Sequence, residues 1–162
     1  MPTMRLIVSG VAVSFALAAI GCGKSDKPKT APVSGTVTME GKPLEGAVVT
    51  FYGVTGRLSP ASGTTNAQGY YELGFAGNKG AEPGMYNVVI AHYTNADGTP
   101  IKADKESGMD VEQLIQQGKA IQDLPATYSD LPQTVLQNYE VKLGQSHKFD
   151  FKLNAGGTAP PK

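Results

Sequence analysis

Val33-Ser34-Gly35-Thr36-Val37-Thr38, Ala47-Val48-Val49-Thr50-Phe51-Tyr52, Tyr70-Tyr71-Glu72-Leu73 and Met85-Tyr86-Asn87-Val88-Val89-Ile90 are four runs of extended character inside one stretch, Val33 to Tyr93. They are separated by Gly41-Lys42-Pro43-Leu44-Glu45-Gly46, Asn66-Ala67-Gln68-Gly69 and Glu82-Pro83-Gly84. Glycine supplies positive φ and proline a fixed φ where the chain reverses, so these are turns between strands. In the first run Val33, Gly35, Val37 and Met39 alternate with Ser34, Thr36, Thr38 and Glu40, the period of two of a strand with one buried face. Ala47, Val49 and Phe51 form the inner face of the second run. Val48 breaks the alternation, as expected where a strand is covered on both sides. Tyr71, Leu73 and Phe75 share a face, and Tyr86, Val88 and Ile90 alternate with Asn87, Val89 and Ala91 in what reads as a central strand.

Downstream the pattern changes. Residues 94–122 read as an insertion: Asn95-Ala96-Asp97-Gly98-Thr99-Pro100 is turn material, followed by a charged run through Glu106. Asp110 and Gln113 have the spacing of a capping box, Val111, Leu114 and Ile115 fall on one helical face, and Gly118 is placed to stop the helix. Leu136 marks the onset of an edge strand. Tyr139, Val141 and Leu143 then alternate, Gly144-Gln145 turns the chain, and Phe149, Phe151 and Leu153 complete what reads as a closing hairpin. Residues 32–154 form one domain, and residues 155–162, rich in glycine and proline, are expected to be a disordered tail.

The runs around Val33-Ser34-Gly35-Thr36-Val37, Gly41 to Phe51, Thr65 to Leu73 and Pro83 to Val88 resemble the carboxypeptidase regulatory-like domain, a small transthyretin-like β-sandwich. Joined to a lipid-attachment signal and to Pro125-Ala126-Thr127-Tyr128, they are similar to a group of short bacterial lipoproteins of planctomycete type. The resemblance runs from about Val33 to Leu153. It implies an all-β, Ig-like or transthyretin-like antiparallel β-sandwich of about seven strands, with one short helix in the insertion. Its matched positions are turns and core, so it implies a fold and no particular activity.

The N-terminus reads as an address. Arg5 precedes an apolar run from Leu6 to Ile20, shorter than the roughly 20 residues that span a bilayer, so residues 1–21 read as a signal peptide. Ala19-Ile20-Gly21-Cys22 resembles a lipobox, with Ala19 where leucine is commonest, and makes Cys22 the expected site of lipid attachment. The alternative is an ordinary signal peptide followed by a lone thiol. Residues 22–31, polar and proline-containing, read as a tether. In the lipoproteins it resembles, aspartate after the cysteine favours the inner membrane; Gly23 stands there, which points to the outer membrane, facing the periplasm or the cell surface.

At 162 residues the chain holds one domain with a core. With zero net charge and only 17% charged residues it lacks the basic field that nucleic acid requires. One cysteine excludes an internal disulfide and a cysteine-based metal cluster.

Candidate chemistry is sparse. His92 and His147 each lie two residues from a core-facing position, so strand parity turns both inward at strand ends, where meeting at one end of the sandwich they could, with a tyrosine or carboxylate, bind a transition metal. Two covered strand-end residues are the plain alternative. Asn95-Ala96-Asp97-Gly98 lacks the spaced carboxylates of a calcium loop. No Gly-x-Ser-x-Gly elbow or phosphate-cradling loop is present. Arg57 is the single arginine beyond the signal, and the C-terminus lacks the Tyr-Arg-Gly-Ser of transthyretin-type hydrolases. The expectation is therefore a non-enzymatic envelope module with a binding or structural role, no catalytic residue and no cofactor. Its partners would be the membrane and an envelope protein or polysaccharide. A metal-binding protein or enzyme using His92 and His147 is the alternative. A third reading is a carbohydrate surface on Tyr52, Tyr70 and Tyr93, for which cross-strand packing is the plain alternative.

Overall fold

The structure, a computed structural model, describes residues 28–99, 101 and 111–160, with the backbone alone at 111 and 112. Residues 1–27, which include the expected signal peptide, Cys22 and most of the expected tether, together with Pro100, the charged run 102–110 with the expected cap at Asp110, and residues 161–162, lie outside the described residues.

The strands are β1 (Val33–Met39), β2 (Lys42–Pro43), β3 (Val48–Gly53), β4 (Ala61–Thr64), β5 (Tyr70–Glu72), β6 (Gly74–Phe75) and β7 (Asn78–Lys79). They continue with β8 (Gly84–Ala91), β9 (Tyr93–Asn95), β10 (Ala120–Gln122), β11 (Tyr139–Val141), β12 (His147–Lys148) and β13 (Phe151–Leu153). Two short helices interrupt them, α1 (Val111–Gln116) and α2 (Ala126–Ser129). The protein is thus all-β with a sandwich-like arrangement, as expected, although its strands are more numerous and shorter than the seven envisaged. Of the four decisive runs, all four are strands to within a residue or two.

One sheet is built on β1, with β5 and β2 antiparallel on one edge and β12 and β13 parallel on the other. The second has the order β11-β8-β3-β4-β6-β7, and β9 with β10 forms a separate ribbon. Alternation holds where it was read: Val33, Gly35 and Val37 are buried while Ser34, Thr36 and Thr38 are half-buried.

The expected closing hairpin is not formed. Tyr139 and Val141 do face inward, but β11 pairs with β8 (Tyr139↔Tyr86) while β13 runs parallel to β1 (Val37↔Phe151). Gly144, at φ +80°, sends the chain from one sheet to the other rather than back along itself. The crossover brings aromatic rings from both sheets around Phe51, whose ring lies 5.8 Å from Tyr86 and Phe149, 6.3 Å from Tyr139 and 6.5 Å from Phe151. Such pairs each contribute about 0.5–1.5 kcal/mol beyond their buried area, a gain that a flat two-stranded ribbon would forgo.

Both ends of the domain are longer than the sequence suggested. Ala31 and Ala81 exchange backbone hydrogen bonds of 2.8 and 3.0 Å, and Thr30 Oγ1 donates to the Lys79 carbonyl, so the last two residues of the expected tether are held to the domain. The tail, expected to lack structure, is held through residue 160. Tyr128, fully buried in the Pro-Ala-Thr-Tyr element, donates its hydroxyl to the Thr158 carbonyl at 2.6 Å. Asn154 Nδ2 donates to Thr158 Oγ1 at 2.7 Å, and Gly157 and Pro160 are buried.

Candidate functional site: a tyrosine-framed cleft beside a histidine clamp

The turn before β3 positions both features. Thr65, nearly buried, donates its hydroxyl to the Leu44 carbonyl at 2.6 Å and accepts the Ala47 N–H at 2.8 Å, locking residues 44–47. Within that turn Gly46 takes φ +78°, a left-handed conformation that side-chain-bearing residues rarely adopt.

His92, immediately after β8, is buried against this turn. Its Nδ1 lies 2.8 and 2.9 Å from the two carboxylate oxygens of Asp123, and its Nε2 lies 3.0 Å from the Glu45 carbonyl. The His92 N–H donates to Gln122 Oε1, and the Asp123 N–H donates back to the His92 carbonyl. Both ring nitrogens are therefore occupied, and the imidazole fastens the returning end of the insertion to the β2–β3 turn.

His147 lies elsewhere. Its Nε2 is 2.8 Å from the Lys142 backbone nitrogen and its ring stacks on Phe149, with centroids 5.8 Å apart and planes 10° apart. Lys142 follows Val141, the partner of Gly84 at the start of β8, whereas His92 follows the last residue of β8. Eight residues of strand, about 25 Å, intervene. A second route gives the same answer: His147 pairs with Val33 at the beginning of β1, while the Glu45 turn follows the β2 segment paired with the end of β1. The sequence parity of His92 was read correctly, but the shared histidine site is not formed, because the two strand ends belong to opposite ends of the sandwich. Among the described residues no group of three His, Cys, Asp or Glu side chains converges.

Tyrosines tell a different story. Successive outward positions along β3 are Val48, Thr50 and Tyr52, paired with Ala91, Val89 and Asn87 of β8. Over the Val48/Ala91 end lies a cleft of about 360 Å³, lined by Gly46, Val48, Tyr52, Ala91, Tyr93, Ile101 and Ile115. Tyr52 and Tyr93 thus belong to one site, Tyr52 four residues further along β3 than Val48, about 13 Å. Both are half-buried, and neither hydroxyl has a protein partner among the described residues. Tyr70, the third tyrosine of the carbohydrate reading, lies apart on β5 of the other sheet and donates to Glu72 Oε1 at 3.0 Å.

Ile115 reaches the cleft from α1. That helix ends as read from Gly118, at φ +66°, whose N–H donates to the Ile115 carbonyl while the Lys119 N–H donates to the Leu114 carbonyl. Val48, the residue that breaks the alternation, is half-buried and lines this cleft together with Ile115. Asn95 to Thr99 is a plain turn, with the Asp97 carboxylate accepting from Thr99 N and Oγ1.

The chain matches no family model, no curated protein and no solved structure. The functional reading rests on the cleft itself.

Two signals for this site were present in the sequence, Val48 out of phase and tyrosines at outward positions, but no pattern tied them to Ile101 or Ile115. The Asp123–His92 contact left no sequence signal, since 31 residues separate the partners.

Proposed function

We propose that this chain is a lipid-anchored, non-enzymatic β-sandwich of the cell envelope that binds a ligand in the cleft between Tyr52 and Tyr93. The observation carrying the binding role is that cleft: concave, with an apolar floor and, among the described residues, two phenols without partners and no charged side chain in the lining. Orientation by a few polar groups over an apolar surface is the usual construction of a binding site. Attachment is supported by the short apolar run ending at Ala19-Ile20-Gly21-Cys22, and Gly23 after the cysteine favours the outer membrane. Acyl chains on Cys22 would contribute about 0.8 kcal/mol per buried methylene.

Cell fractionation and a sedimentation assay test the two halves separately. Cys22→Ser should leave the membrane fraction after a high-salt wash; continued partitioning there would refute the anchor. Wild-type protein should co-sediment with isolated insoluble envelope material, and a Tyr52→Ala/Tyr93→Ala variant should do so at least several-fold less. Equal sedimentation of the two would remove the cleft from the proposal.

A further inference from the structure

The shape and chemistry of the cleft narrow its ligand. Building on the binding role proposed above, we infer that the cleft takes a neutral saccharide, a mono- or disaccharide unit of a larger glycan. Its volume of about 360 Å³ is at the small end of the range of ligand sites, roughly 300–1,000 Å³, so the occupant is compact.

Charge is the first discriminator. The described lining consists of Gly46, three aliphatic types and two tyrosines, with neither an ammonium nor a carboxylate to pair with an ionised ligand. Among these described residues a phosphate or carboxylate would find no charged partner to offset its desolvation. Polarity is the second. A wholly apolar ligand would satisfy Val48, Ala91, Ile101 and Ile115 but leave the hydroxyls of Tyr52 and Tyr93 without partners as water is displaced. A pyranose suits both demands, because its C–H face packs on an aromatic or aliphatic surface while its rim of hydroxyls donates and accepts in the plane.

Position is the third. Tyr93 and Tyr52 lie toward opposite ends of a floor made by the Val48/Ala91 pair, so a saccharide extended along that floor has a phenol toward each end. Both tyrosines are carried by strands of hydrogen-bonded register, and Tyr93 in β9 is further fixed by its pairing with Gln122. A pre-set frame of this kind reduces the ordering cost of binding a polar ligand.

The test uses the intact lipidated protein reconstituted in nanodiscs, titrated calorimetrically with four probes: β-glucan oligosaccharides, chito-oligosaccharides, oligogalacturonate and decanoate. At least one neutral oligosaccharide should bind saturably. Tyr52→Phe and Tyr93→Phe, which keep the ring and delete the hydroxyl, should each weaken it by about 3- to 10-fold, the loss of one hydrogen bond. The double alanine variant should lose it by a larger factor. Decanoate binding without saccharide binding, unchanged in the phenylalanine variants, would overturn the saccharide while leaving a cleft that binds. Preference for oligogalacturonate would overturn the neutral ligand. Failure of all four probes with undiminished sedimentation on envelope material would overturn the saccharide alone, and failure of both assays would overturn the binding role as well.

Discussion

Tyr71 reaches across Gly35 to donate its hydroxyl to the carbonyl oxygen of Phe149, 2.9 Å away. Gly35 pairs with Tyr71 on one side, and on the other the constant offset of the β1 ladder, from Val33↔His147 to Met39↔Leu153, sets it beside Phe149. The bond therefore ties the two flanks of β1 together over a residue that has no side chain. Tyr71→Phe should retain the ring contact with Phe151 and leave the carbonyl unpaired. A loss of about 1–2 kcal/mol is expected in denaturant unfolding; a variant as stable as wild type would show the bond to be immaterial.

Gly35 itself should be intolerant of substitution. A Cβ there would lie 1.8 Å from the Phe149 oxygen and 3.0 Å from the Tyr71 ring, and the first obstacle is backbone that no rotamer can clear. Gly35→Ala should cost about 3 kcal/mol or more. Gly41→Ala serves as comparison: its φ of +78° strains any side chain but nothing lies within 4 Å, so about 1–2 kcal/mol is expected. Thermal melts that rank the two in the opposite order would contradict the close approach.

The clamp at His92 predicts a local effect. Removing the imidazole frees Asp123, the Glu45 carbonyl and the link between turn and insertion. In His92→Ala, hydrogen exchange at Ala120–Gln122 should accelerate while amides at the centre of β3 and β8 keep their protection. Unchanged exchange at 120–122 would show that the β9–β10 pairing alone holds the segment.

Alkaline pH should weaken the fold. Burial, reinforced by the charges of Asp150 and Tyr139, raises the Tyr71 phenol far above its ordinary value near 10, and burial with the Glu82 carboxylate pushes Tyr86 up to about 12. The folded protein thus holds these protons more tightly than the unfolded chain does. Their contribution is whole below about pH 10 and is lost as pH rises, through about 12 for Tyr86. Denaturant midpoints should fall across that window, and less steeply in Tyr86→Phe. A flat profile in the wild type would contradict it.

The short-range features were decided by sequence. Period-two alternation put Val33, Val37, Val49, Phe51, Tyr86, Val88 and Ile90 inside because a pleated strand sends successive side chains to opposite faces. Gly118 ended a helix because its positive φ is a local property, and the outward tyrosines were visible for the same reason. Cys22 and the apolar segment before it are likewise a matter of sequence alone. What tertiary structure decided was every question of partner. The residues from Tyr139 to Leu153 alternate equally well as a hairpin or as strands in two sheets; periodicity specifies a face and is silent about the neighbour. The choice fell to the rings around Phe51, which pack only when β11 and β13 approach from opposite sheets. His92 and His147 were both read inward from the same parity, yet the topology set them at opposite ends, each against backbone groups distant in sequence or across a turn. Tyr52 and Tyr93 line one cleft because β3 and β8 pair in one particular register, which sets Val48 beside Ala91, with Tyr93 of β9 just beyond, and because α1 brings Ile115 to the same place. That register depends on the cooperative burial of the whole core, which no local stretch of sequence contains.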